Sequence, residues 1–304
     1  MIRPAPLALV GPTASGKSQL AHAIALAADD IEIVTVDSMQ VYRGMDIGTA
    51  KPTVADQAEV LYHVLDVVDP WDDFTVAEYQ RVALAAIEEI AARGHRTLLV
   101  GGTGLYLRAV VDQLAIPGRW PEVRREVESE PDTAVLHRRL VAGDPVAAAR
   151  MEPSNRRRIV RALEVTLGSG RPFSSFGPGL DTYPPTPFDI VGVRTSPEHL
   201  AARIDHRLQA QLNAGFLEEA RRLLHPPMGE TLSRTAGQAL GYRELLAHLS
   251  GDLTLEEATD LAVRRTRHFA RRQRAWFRRD PRITWLDVDD DSTSLLATLT
   301  RRWG

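Results

Sequence analysis

The chain has no cysteine. That excludes disulfides, thiolate metal sites and a cysteine nucleophile. Its 9 histidines show no H-x3-H spacing, which argues against a structural zinc site. No apolar run is long enough to span a membrane, and residues 1–6 lead into an apolar strand without a signal-peptide pattern. A cytoplasmic location is therefore expected. Lysine is nearly absent: of 37 basic residues only Lys17 and Lys51 are lysine. The net charge of −3 alone calls for no polyanionic partner, yet the arginines cluster while the acids are spread out. A length of 304 residues suits about two domains, or one α/β core with a sizeable insertion.

Glycine punctuates what is present. An uncharged apolar run at 7–10 reads as a buried strand and runs into Gly11, Pro12, Thr13, Ala14, Ser15, Gly16, Lys17 and Ser18. These residues fit G-x-x-x-x-G-K-[ST] at every fixed position. The glycines let successive amides turn toward an anion, and apolar spacing from Leu20 predicts a helix that aims its positive end at the same place. A diphosphate or triphosphate is expected here. A second glycine-rich turn, at 101–106, follows an apolar run at 97–100 and offers another possible anion-facing helix start.

Strands are expected at 31–36, 62–67, 97–100, 188–193 and 283–286, alternating with helices as in a parallel sheet. Capping boxes Thr75/Glu78 and Thr254/Glu257 open two helices, the first ending at Gly94 and the second running over 255–279. Further helices are expected to about residue 28 and at 197–213, 216–225 and 235–249. Residues 115–183 read as helical without a strand, and 173–187 as a linker rich in Gly, Pro, Ser and Thr. The fold class is thus α/β, with a core of 1–114 and 186–304 interrupted by a helical insertion over 115–185.

The 255–279 helix carries Arg264, Arg265, Arg267, Arg271, Arg272, Arg274, Arg278 and Arg279, with no acid between Asp260 and Asp280. Such repulsion calls for a nearby anion. With Arg156, Arg157, Arg158 and Arg161, it suggests nucleic-acid phosphate contacts. Asp37, ending the 31–36 strand, is placed beside the phosphate loop. There it could hold a metal in a kinase or ATPase, or act as general base in a transferase with a diphosphate leaving group. The residues alone leave this open.

The blocks at 11–18, 37–43, 45–52 and 100–106, Arg161 to Glu164, Gly241-Tyr242-Arg243-Glu244, and Thr266-Arg267…Arg272-Gln273…Trp276-Phe277-Arg278 resemble, in order, the tRNA dimethylallyltransferase family. Arg271 and Ala275 stand where that family usually has Lys and Thr. The resemblance implies a P-loop NTPase-like core with an inserted tRNA-binding domain. It also implies dimethylallyl transfer from its diphosphate to the exocyclic amine of the adenosine 3′ of the anticodon, by a monomer. It implies Mg2+ on Ser18, proton abstraction by Asp37, a hydrogen bond from Thr103 and a diphosphate clamp at Arg207. The implied contacts to the tRNA anticodon stem-loop are Asp37, Ser38, Met39, Gln40, Thr103, Arg124, Arg157, Arg158, Ile159, Val160, Arg161, Gln238, Gly241, Tyr242, Arg243, Arg271, Arg272, Gln273, Trp276 and Arg278. A P-loop kinase, an adenylate isopentenyltransferase and an ATP-dependent RNA-binding switch are the rival readings.

Overall fold

In the computed structural model, residues 5–224, 226, 229–288 and 292–303 are described. Two compact units emerge, one of Met1–Asp112 with Pro185–Gly304 and one of Gln113–Pro184.

The first unit is built on a six-stranded sheet: β1 (Leu7–Val10), β2 (Ile31–Val36), β3 (Tyr62–His63), β4 (Arg96–Gly101), β5 (Asp189–Arg194) and β6 (Thr284–Asp287). The order is β3-β2-β4-β1-β5-β6, parallel throughout. A parallel sheet is covered on both faces, which is why its central strands are apolar along their whole length. Alternate side chains serve alternate layers. Ala8 and Val10 join one core with Val34, Val36 and Leu99, while Leu7 and Leu9 join the opposite one with Ile31, Ile33, Leu98 and Val100.

The helices of the first half are α1 (Lys17–Leu26), α2 (Val54–Glu59), α3 (Val76–Ala92) and α4 (Gly104–Val111). The second unit contains α5 (Pro121–Glu128), α6 (Thr133–Gly143), α7 (Pro145–Ala149) and α8 (Arg156–Ser169), with its own core of Val127, Leu136, Leu140, Ile159, Val160 and Leu163. The chain returns through α9 (Pro197–Asn213), α10 (Phe216–Arg222), α11 (Tyr242–Leu249), α12 (Leu255–Phe277) and α13 (Ser292–Trp303). Among the described residues no helix is long and apolar enough to cross a membrane.

Several expectations change. The 62–67 strand stops at His63, because Val64 and Asp66 take left-handed backbone conformations (φ 65° and 51°). The 235–249 helix is broken by Gly241 at φ 83°, leaving a 3-10 turn at Ala236–Gln238 before α11. Such a φ suits glycine. The 216–225 helix ends at Arg222, and His225 lies outside the described residues. A third capping box, Thr53 with Asp56, opens α2, a helix that was not anticipated, and neither was α13. The latter buries Leu295, Leu299 and Trp303, a helical i, i+4, i+8 series, in the core containing Leu20 and Ile24 of α1.

Candidate active site

The site follows from register. Val10 of β1 and Val36 of β2 both lie opposite Gly101 of β4, so three neighbouring strands end level. Ligands of open α/β sheets bind beyond such carboxyl ends. The phosphate loop, Asp37 and the turn at 102–103 therefore emerge side by side. Gly101 must be glycine, because a Cβ would stand 2.0 Å from the Val36 carbonyl oxygen.

The loop is a nest of turned peptides. Ala14 and Gly16 adopt φ of 61° and 86°, and α1 begins immediately after them. Alternating backbone handedness of this kind turns N–H groups toward an anion. Lys17 Nζ donates to the Pro12 carbonyl at 3.1 Å. From α9, Arg207 donates to the Thr13 hydroxyl at 3.1 Å and Arg203 to the Ser15 carbonyl at 3.4 Å. The loop lines a cavity of about 890 Å³ that also takes in Gln40, Lys51, Arg203 and Arg207.

Burial lowers the Lys17 ammonium to about 8, with Asp37 opposing the shift and Arg207 adding to it. Burial likewise pulls Arg207 down, again against Asp37. Lys17, Asp37 and Arg207 are thus close enough to sense one another's charge. A bound diphosphate would favour the charged lysine and raise its pKa. Pyrophosphate affinity should accordingly be full below pH 8 and fall by about tenfold per pH unit above it, until the bound-state pKa is reached. Calorimetry of wild type and Lys17→Arg across that range checks this. Arginine keeps its charge, so the ligand's own titration, common to both proteins, cancels in the comparison.

Asp37 Oδ1 accepts the Met39 N–H at 2.8 Å. Its Oδ2 has no hydrogen-bond partner among the described residues. Thr103 Oγ1 accepts the Ser38 N–H at 3.3 Å, which leaves the hydroxyl proton free to be donated. Residues 37–52 are held by two buried ions. Lys51 donates to the Tyr42 carbonyl at 2.9 Å and to Asp46 and Asp66 at 2.5 Å each. This second lysine is a staple. Glu219 of α10 accepts the N–H groups of Asp46, Ile47 and Gly48 at 2.9–3.0 Å, and the Tyr242 hydroxyl at 2.5 Å. Gly48 leaves room for Phe216 and Tyr242, whose rings a Cβ would meet at 2.2–2.4 Å.

Several residues expected to touch tRNA have side chains that are buried or engaged within the protein. Ile159 and Val160 lie in the core of the second unit, and Tyr242 is fully buried against Glu219. Gln40 is buried and donates to the carbonyls of Thr49 and Ala50. Gln273 is buried, and Trp276 is half-buried over Gly104. The second glycine-rich turn is thereby covered by α12, not opened to an anion. Met39 packs against the core and Gly241 is buried. Arg124 and Arg161 both pair with the buried Glu164. Ser15 is fully buried and lines the same cavity. By contrast, Ser18, Arg157, Arg158, Gln238, Arg243, Arg271, Arg272 and Arg278 are exposed.

The α12 arginines are also less naked than their run suggests. Arg265 pairs with Glu244 and Arg267 with Asp205, acids supplied by α11 and α9. Arg271, Arg272, Arg274 and Arg278 have no acidic partner among the described residues. Arg203 was not singled out from the sequence. The signal was its i, i+4 spacing from Arg207, which puts both guanidinium groups on the face turned to the loop.

A family model described as IPP transferase matches residues 40–280. The chain belongs to the IPP transferase family. A tRNA dimethylallyltransferase of Nocardioides sp. is 48% identical over 287 residues, covering 93% of this chain and 91% of that one. One from Corynebacterium efficiens is 46% identical over 292 residues, covering 95% and 96%. Among solved structures, the tRNA isopentenylpyrophosphate transferase of Bacillus halodurans superposes with a TM-score of 0.71 at 36% identity, covering 98% of this chain and 95% of that one. A eukaryotic dimethylallyltransferase acting on tRNA gives 0.81 at 26% identity, covering 97% and 77%. The six-stranded parallel sheet with its phosphate loop is the fold of this family. Both the loop and Asp37 precede the segment matched by the IPP transferase model, so their assignment rests on the geometry above.

Proposed function

We propose that the chain transfers a dimethylallyl group from dimethylallyl diphosphate to the exocyclic amine of the adenosine immediately 3′ of the anticodon in tRNA. The observation carrying this reading is an anion-cradling loop beside one carboxylate with an uncommitted oxygen. The amine nitrogen bonds to the allylic carbon as the C–O bond breaks, and that electron pair leaves on the diphosphate. The proton shed by nitrogen passes to Asp37 Oδ2. Lys17, Arg207 and the loop amides offset the charge growing on the departing oxygen. Thr103 donates its free hydroxyl proton to the substrate. A stacked base cannot reach Asp37, so the adenosine is extruded from its loop. The exposed arginines of α8 and α12 supply tRNA phosphate contacts.

Mg2+ suits the donors present. Among the described residues no three His, Cys, Asp or Glu side chains form a metal cage. Ser18 offers an exposed hydroxyl at the second position of α1. Mg2+ typically keeps several waters and draws its other ligands from substrate phosphates and one or two protein oxygens, so Ser18 would hold it. When bound, it would add positive charge against the diphosphate. We take the working form to be a cytoplasmic monomer.

Incubation of tRNA with the protein, dimethylallyl diphosphate and Mg2+, followed by mass spectrometry of the nucleosides, should reveal one dimethylallyl adenosine at the position 3′ of the anticodon. Phosphate transfer from ATP would instead favour a kinase. Preferential modification of free AMP would favour an adenylate isopentenyltransferase.

A further inference from the structure

Gln273 is the one uncharged polar residue in the arginine run of α12 between Arg271 and Arg274. It does not face outward with its neighbours. Its Oε1 accepts the Thr13 N–H at 2.8 Å, and its Nε2 donates to the Gly102 carbonyl at 2.9 Å. One primary amide thus closes a bridge between the phosphate loop after β1 and the turn after β4. Only a side chain with acceptor and donor on the same carbon meets both partners, because Thr13 can only donate here and Gly102 can only accept. Space is kept for it as well. A Cβ on Gly102 would lie 2.3 Å from the amide nitrogen. Thr13 is held from its other side by Arg207, and Thr103, next to Gly102, holds Ser38 beside Asp37.

We propose that Gln273 is a positioning residue of the diphosphate site, fixing the spacing between the Thr13 turn and the Gly102–Thr103 turn, and is not a contact to tRNA. The inference rests on the reading of the loop as a diphosphate cradle. The amide holds the leaving-group side of the reaction and the proton-accepting side at one separation. Its loss would let the loop drift relative to Thr103 and Asp37 without altering the exposed arginines.

The test compares Gln273→Met, which keeps length and apolar bulk, with Gln273→Glu, which keeps the acceptor but sets a carboxylate against the Gly102 carbonyl. Inorganic pyrophosphate with Mg2+ is titrated calorimetrically, tRNA affinity is measured separately, and KM and kcat follow for both substrates. Both variants should bind pyrophosphate roughly tenfold more weakly or worse, as expected for two lost or inverted hydrogen bonds. Their KM for dimethylallyl diphosphate should rise while the tRNA Kd stays within about twofold. Arg271→Gln should give the opposite signature, with weaker tRNA binding and unchanged pyrophosphate affinity. Circular dichroism identifies a variant that fails to fold, and the other then decides. Unchanged pyrophosphate affinity in both folded variants would overturn the proposal. So would a loss confined to tRNA, or an equal weakening of both ligands. Failure of wild type to bind pyrophosphate would instead overturn the diphosphate reading itself.

Discussion

Asp37→Asn should cut the single-turnover transfer rate at saturating tRNA by about 10²–10⁴-fold, the range a positioned general base contributes. The change is nearly isosteric. The substituted amide keeps an oxygen that can accept the Met39 N–H, as Asp37 Oδ1 does at 2.8 Å, so the turn after β2 should hold its shape. What disappears is the anionic Oδ2 that would take the amine proton. Lys17 and Arg207 both sense the Asp37 charge. Removing it leaves the loop more positive and should tighten pyrophosphate binding modestly. Loss of rate with undiminished pyrophosphate and tRNA affinity is therefore the expected signature. Activity within a few-fold of wild type would remove Asp37 from the chemistry.

The largest stability effect should come from Glu219→Ala. This carboxylate is buried at 1% exposure and satisfies three backbone N–H groups and the Tyr242 hydroxyl. Each buried donor left without a partner costs about 1–3 kcal/mol. Water entering the vacated space will satisfy part of that set, so a total of about 3–5 kcal/mol is expected. At about 2–4 °C per kcal/mol for a chain of this order of size, the melting temperature should fall by about 10 °C. Tyr242→Phe removes only one donor and should cost about 1 kcal/mol. Thermal and denaturant melts of both variants give the comparison. A shift below about 1 kcal/mol for Glu219→Ala, the low end for one orphaned donor, would mean that residues 46–48 do not depend on this anchor.

The strands and phosphate loop were legible because their signals are local. An uncharged run, fixed glycines and capping boxes act within a few residues, and β1, β2 and β4 follow them. What was not legible depends on partners far along the chain. Tyr242 and Gln273 sit in motifs beside arginines, and only the packing of α10 and α12 shows that they face inward. Part of that signal was available for Gln273. Its spacing from Ala262, Ala270 and Phe277 places it on the buried stripe of α12. Glu219 and Glu164 could not be distinguished from surface acids by pattern alone, since the backbone N–H groups that Glu219 accepts lie 171–173 residues away, and Trp120 and Arg124, on Glu164, lie 44 and 40 residues away. The short third strand was lost to left-handed backbone at Val64, an apolar residue that gives no local warning of it.

The near-absence of lysine has a practical meaning once both are located. Lys51 is sealed between two carboxylates, with its side chain 2% exposed. Lys17 is part-exposed and already loses its proton near pH 8. Lys17 is thus the side-chain amine that is both part-exposed and shifted toward neutrality. An acylating reagent would be drawn to the phosphate loop and to little else along the side chains. Tethering through side-chain amines would therefore engage the phosphate loop, whereas guanidine-directed chemistry would find the exposed arginines first.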